Sequence, residues 1–146
     1  MPAIDSTVPG RDPEDPKAEL ERRCDAIEES YEFMLAYASR GLSTDGGSEG
    51  GSEIRDYLSR FDAALTGLPE SLAHSVQRLG LDSIEYRDFL GVLERDGRAT
   101  QVALRLVLAQ PALGSQLIDN LNASIHLRTL LTDLFLIDEI LKKYEA

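Results

Sequence analysis

Fifteen residues near the C-terminus, Leu127 to Leu141, hold nine large apolar side chains: Leu127, Leu130, Leu131, Leu134, Phe135, Leu136, Ile137, Ile140 and Leu141. A core-facing helix needs roughly three apolar positions in seven, and this run exceeds that. A helix apolar on more than one side sits at the centre of a bundle or meets a second partner on its far side. Between Pro111 and Tyr144 only Gly114 opposes helix formation. Leu113, Leu117, Leu121 and Ile125 carry the stripe upstream, so the spacing predicts a long last helix.

The rest of the chain shows the same period. Asp15 before Pro16 is a helix start, an N-cap oxygen followed by a ring whose missing N–H is harmless at the first helical position. Leu20, Cys24, Ile27, Tyr31, Met34 and Ala38 then trace one stripe of a helix about six turns long, and Gly41 stops it. Glu21, Arg22, Glu28, Glu29 and Glu32 lie on the opposite, wet face. Further helices are predicted over Glu53 to Leu65 and Pro69 to Leu79. A capping-box-like pair, Asp82 and Glu85, opens a fourth that runs through Leu93. Asp96-Gly97 reads as a turn or weak break before the apolar run Val102 to Leu108. No segment alternates as a strand does, no Asn-Gly hairpin signal is present, and no repeat is found. The expected fold is all-α, a bundle of five or six helices whose long first and last members pack together.

The expected organisation is a disordered N-terminal arm, residues 1–14, and one helical domain, residues 15–146. The arm is polar and broken by Pro2, Pro9 and Pro13. The domain carries a flexible loop over 42–52, rich in Gly and Ser. A chain of 146 residues buries an ordinary core without staples. Its single cysteine, Cys24, excludes an internal disulfide or a Cys-rich metal site. No run of about 18 apolar residues is available to span a membrane, and the N-terminus has no apolar signal region. A cytoplasmic location is expected. With 26 acidic and 15 basic residues, the net charge of −11 opposes nucleic-acid binding, which needs clustered Lys and Arg. Arg95, Arg98 and Arg105 are diluted by Glu94 and Asp96.

Several patterns bear on chemistry. Leu79-Gly80-Leu81-Asp82-Ser83-Ile84 resembles the phosphopantetheine attachment site of acyl carrier proteins, with Glu85, Asp88 and Glu94 on the following helix. That resemblance covers about ten residues and implies a prosthetic arm on Ser83, although Asp82 or Ser83 serves equally as a helix cap. Arg87 and Arg95 depart from the acidic recognition helix of that family. His74 resembles the exposed histidine of histidine phosphotransfer domains, without the lysine and glycine that follow it there. Neither His74 nor His126 has a glutamate three residues before it, so the bundle di-iron pattern is missing and no metal is expected. The glycines of 46–51 lack the fixed spacing and the lysine of a phosphate loop. Cys24 falls on an apolar stripe, where a thiol is inert. No Gly-x-Ser-x-Gly elbow occurs. No catalytic residue, cofactor or enzyme activity is expected.

What remains is surplus apolar surface. It points to a non-catalytic acidic helical binding protein: an adaptor, assembly chaperone or accessory subunit that covers an apolar helical surface of a protein partner, or pairs as a homodimer. Leu130, Leu134, Ile137 and Leu141 are the expected partner-binding residues, with Tyr31 and Met34 as counterparts. Small size, acidity and helicity resemble secretion and flagellar export chaperones in bulk properties. The alternatives are a carrier protein modified at Ser83 and a regulatory or sensory helical module.

Overall fold

A computed structural model of the protein describes residues 14–46 and 52–145. Residues 1–13 of the expected arm and 47–51 of the expected loop lie outside the described residues. The described residues form six helices and no strand: α1 (Pro16–Ala38), α2 (Glu53–Leu65), α3 (Leu68–Arg78), α4 (Ile84–Leu108), α5 (Ser115–Asn122) and α6 (Ile125–Lys142). The fold is an all-α bundle.

Local chemistry accounts for most boundaries. The Asp15 carboxylate accepts from the Ala18 N–H at 3.4 Å, and Pro16 opens α1. That helix ends at Ala38, with Gly41 in the left-handed region at φ 68° shortly afterwards. Ser52 caps α2 through the Arg55 N–H. Buried Leu20, Ile27, Met34 and Tyr37 of α1 meet Ile54, Leu58, Phe61 and Leu65 of α2 in one core with residues from the other helices. Phe33, at the edge of the α1 stripe, stacks on Tyr57 with ring centroids 4.3 Å apart. Apolar surface beside the α1 stripe is therefore partly covered within the chain.

Three expectations are corrected. The Asp96-Gly97 break does not occur: α4 runs 25 residues and is the longest helix. Leu93, Thr100, Leu104 and Val107 form its buried stripe, and Asp96 and Gly97 fill the turn between Leu93 and Thr100. Packing against α6 carries the helix through the glycine, where a Cβ would stand 4.0 Å from Leu130. The last segment, conversely, is divided. It breaks at Ala123-Ser124, just after Asn122, whose side chain turns inward and donates to the Met34 carbonyl at 3.1 Å. The break lets α5 pack on α1 and α6 pack on α4. The first and last helices are consequently not close partners: α1 makes its close backbone contacts with α2, α5 and α3.

The glycine- and serine-rich connection after α1 is described only in part. Its described part, residues 42–46, is fastened to the bundle. The Ser115 N–H donates to the Leu42 carbonyl at 2.8 Å, and the Leu42 N–H donates to Ser115 Oγ at 2.9 Å. The Asp45 carboxylate pairs with Arg55 Nε at 2.8 Å and accepts from Ser52 Oγ and the Leu113 N–H, each at 2.8 Å. Arg55 extends the clasp by donating to the carbonyls of Leu108 and Gln110. Gly114 is required here by close approach, since a Cβ would stand 2.8 Å from the Ser43 carbonyl oxygen. Composition alone reads as flexible, but one buried carboxylate supplies the anchor.

Candidate functional site

The stripe on α6 is wider than its neighbours can cover. Leu127, Leu130, Leu131, Leu134, Ile137 and Leu141 are buried, while Phe135 and Leu136 remain 56% and 52% exposed. Ile140 is half-buried. Leu136, Ile137 and Ile140 fall at i, i+1 and i+4 on one flank. The first turns of α4 present Tyr86 and Phe89 to that flank, and Glu85 stands at the edge. Together the six side chains enclose a groove of about 310 Å³. Glu139, three residues after Leu136, is an exposed acid on the adjoining turn of α6. Lys143 is exposed at the end of the same helix. The site is an apolar trough with a predominantly acidic margin, suited to covering another apolar surface.

The residues expected to bind a partner lie elsewhere. Met34, Leu130, Leu134, Ile137 and Leu141 are buried in the core of this chain, and Tyr31 is half-buried against it. Of this set only Ile137 reaches the groove. The apolar surplus is real, but it surfaces one position further round the helix, at Phe135 and Leu136. Tyr86, Phe89, Leu136 and Ile140 are the lining residues that sequence reasoning missed. Their signal was the i, i+3 spacing of Tyr86 and Phe89 on a helix otherwise charged at Glu85, Arg87 and Asp88.

Ser83 is the exposed N-cap of α4, and its hydroxyl donates to Glu85 Oε1 at 3.0 Å. His74 and His126 are both exposed, on different helices. Cys24 is half-buried in a second groove, between α1 and α6, lined also by Glu21, Asp25, Glu28 and Asp138. Burial first, then the negative charges of Asp138 and Glu28, push its thiol up to about 12. Such a thiol is a poor nucleophile at neutral pH. Among the described residues no three His, Cys, Asp or Glu side chains gather as a metal-ion group. Nor is any helix among them long and apolar enough to cross a membrane.

Further along the α4–α6 seam from the groove lies a polar feature. Asp133 of α6 is 8% exposed, three residues after buried Leu130 and four before Ile137. With both carboxyls ionised, its Oδ2 finds no hydrogen-bond donor among the described residues. The ionisable group that acts on it is the Asp96 carboxyl of α4. Close by, Thr100 Oγ1 lies 3.0 Å from the His126 carbonyl, so the two helices are in direct polar contact at this level. Burial, then the hydrogen bond and charge of Asp96, raise the Asp133 carboxyl to about 7.

The chain matches no protein-family model, no curated protein and no solved structure.

Proposed function

We propose that this chain is a non-catalytic helical binding protein that takes the apolar face of a partner's amphipathic helix into the α4–α6 groove. The observation that carries this reading is the trough of Tyr86, Phe89, Leu136, Ile137 and Ile140, with Leu136 52% exposed. Helix-in-groove recognition uses an apolar furrow of this kind, filled by side chains spaced at i, i+3 or i+4, and i+7.

Charge selects the kind of occupant. Glu85 lines the groove, Glu139 is exposed one turn beyond Leu136, and the chain carries a net charge of −11. Two copies meeting through this face would bring acidic margins together, whereas a partner helix flanked by Lys or Arg is attracted and steered. The proposed partner segment is therefore basic and amphipathic, and an adaptor or assembly chaperone for such a segment fits the site.

The test is a titration of the full chain with a synthetic leucine-rich helix flanked by lysines, followed by fluorescence anisotropy. Light scattering on the same samples reports the oligomeric state. Saturable binding that Leu136→Asp weakens by about tenfold or more is expected, from the loss of one large apolar contact. No binding, or binding indifferent to Leu136→Asp, overturns the reading. A homodimer that dissociates on Leu136→Asp replaces it with self-association.

The carrier reading retains one supporting observation, the exposed Ser83 hydroxyl at the start of α4. Intact mass after treatment with a broad phosphopantetheinyl transferase decides it. A gain of one arm's mass that Ser83→Ala abolishes is required.

A further inference from the structure

Asp96 and Asp133 stand on the inner faces of two helices that pack along their length. Gly97 lies against Leu130, Thr100 against the His126 carbonyl, and both contacts fix the same antiparallel register. That register places the turn holding Asp96 beside the turn holding Asp133. An aspartate at a stripe position, between Leu130 and Ile137, is costly to keep charged because burial removes its hydration. Two carboxylates meeting in such a place cannot both ionise cheaply, but one proton between them turns repulsion into a hydrogen bond.

Among the described residues no ion pair joins either carboxylate to a basic side chain. On α6 the side chains one turn before and after Asp133 are Thr129, Leu130, Leu136 and Ile137. On α4 those flanking Asp96 on the seam are Leu93, Gly97 and Thr100. Arg128 borders the same surface depression as Asp133, together with Thr129 and Thr132. That depression gives solvent protons access to the pair. Arg95 and Arg98 are neighbours of Asp96 in sequence, and Arg98 is engaged with Glu94 at 3.3 Å.

We infer that Asp96 and Asp133 share a single proton across the α4–α6 seam, and that loss of this proton unseats α6 from α4. The pair is a pH-sensitive latch. With the proton in place the carboxyls bond; without it, two buried negative charges face each other. Because the folded state holds the proton more tightly than the unfolded chain does, the latch is fully closed below the ordinary carboxylate range, at about 4. Its contribution is lost as pH rises toward neutrality. Leu136, Ile137 and Ile140 lie on the same helix, so the groove moves with the latch. Transmission to partner binding rests on the proposed function; the latch itself does not.

Two measurements on the full chain test it, neither of which requires a ligand. In the first, urea unfolding is followed from pH 5 to pH 8. The unfolding constant of the wild type should rise by about tenfold or more, on the scale of one pKa unit or greater. Asp133→Asn and Asp96→Asn should each remove most of that rise, since an amide donates to the remaining carboxylate. A rise as steep in both variants as in the wild type, or no rise in the wild type, overturns the latch. In the second, the carbon-13 resonance of the Asp133 carboxyl is titrated in the unmodified protein. An inflection well above the ordinary carboxylate range supports the shared proton, and an inflection near about 4 overturns it. This second measurement decides the matter if either variant fails to fold.

Discussion

Asp45 and Asp133 are both withdrawn from solvent, and they are held there in opposite ways. Asp45 closes the connection between α1 and α2, 1% exposed at its side chain and surrounded by donors. Burial alone would raise its proton affinity, but the Leu113 N–H, the Ser52 hydroxyl and the Arg55 guanidinium outweigh that and hold it well below the usual carboxylate range. Asp133 lies in a helix seam, faces another carboxyl and is pushed up. Depth is similar; the company differs. The charge of Asp45 therefore stabilises the fold above the ordinary carboxylate range, and that benefit disappears as pH falls through and below about 4. The contribution of Asp133 has the reverse sign and disappears as pH rises.

The comparison can be broken most forcefully at Asp45. Asp45→Ala leaves half-buried Arg55 without its carboxylate and should destabilise the chain by about 3 kcal/mol at neutral pH, as for other broken pairs withdrawn from solvent. Urea denaturation measures this, and a loss under about 1 kcal/mol would mean that water replaces the carboxylate readily. Gly114→Ala attacks the same clasp sterically. Its Cβ would press on the Ser43 carbonyl, and a loss of about 2 kcal/mol is expected, typical of an overpacked site. Asp45→Asn and Asp133→Asn sharpen the contrast in sign. At pH 8 the first should destabilise, whereas the second should stabilise by about 1 kcal/mol, the worth of one pKa unit. At pH 5 the gain from Asp133→Asn should shrink. Smallest of all, Leu136→Asp should change stability by no more than about 0.5 kcal/mol, because its side chain is already half in water. Calorimetry separates that from Leu134→Asp, which puts a charge in the core and should abolish folding.

Much of this architecture was legible from apolar spacing and caps. The interval Glu53 to Leu65 coincides with α2, and the start of α1 follows from Asp15-Pro16. The misreadings share a cause: tertiary contacts overrode local signals. Gly97 looked like a break, yet α6 supports the helix across it. Asn120, Asn122 and Ser124 were weak helix formers in an apolar stretch, and the inward turn of Asn122 decided where the last segment divides. The candidate groove was half visible. The excess on the last helix signalled exposed apolar surface, but choosing the stripe residues selected the core, and the exposed flank at Phe135 and Leu136 followed only from knowing where α4 lies. Asp133 carried a signal that was passed over, an acidic residue at a stripe position between Leu130 and Ile137. Asp45 carried none, because nothing local distinguishes an anchoring aspartate from a solvated one in a glycine-rich stretch.

The clasp at Asp45 has a consequence for engineering. Its carboxylate touches Ser52 Oγ at 2.8 Å, so Asp45 and Ser52 stand at almost the same point of the bundle. The entropic cost of closing a loop between two such neighbouring points grows only slowly with its length. Between Gly46 and Ser52 a reporter domain with neighbouring termini can be spliced in as a cassette, leaving the register of all six helices untouched.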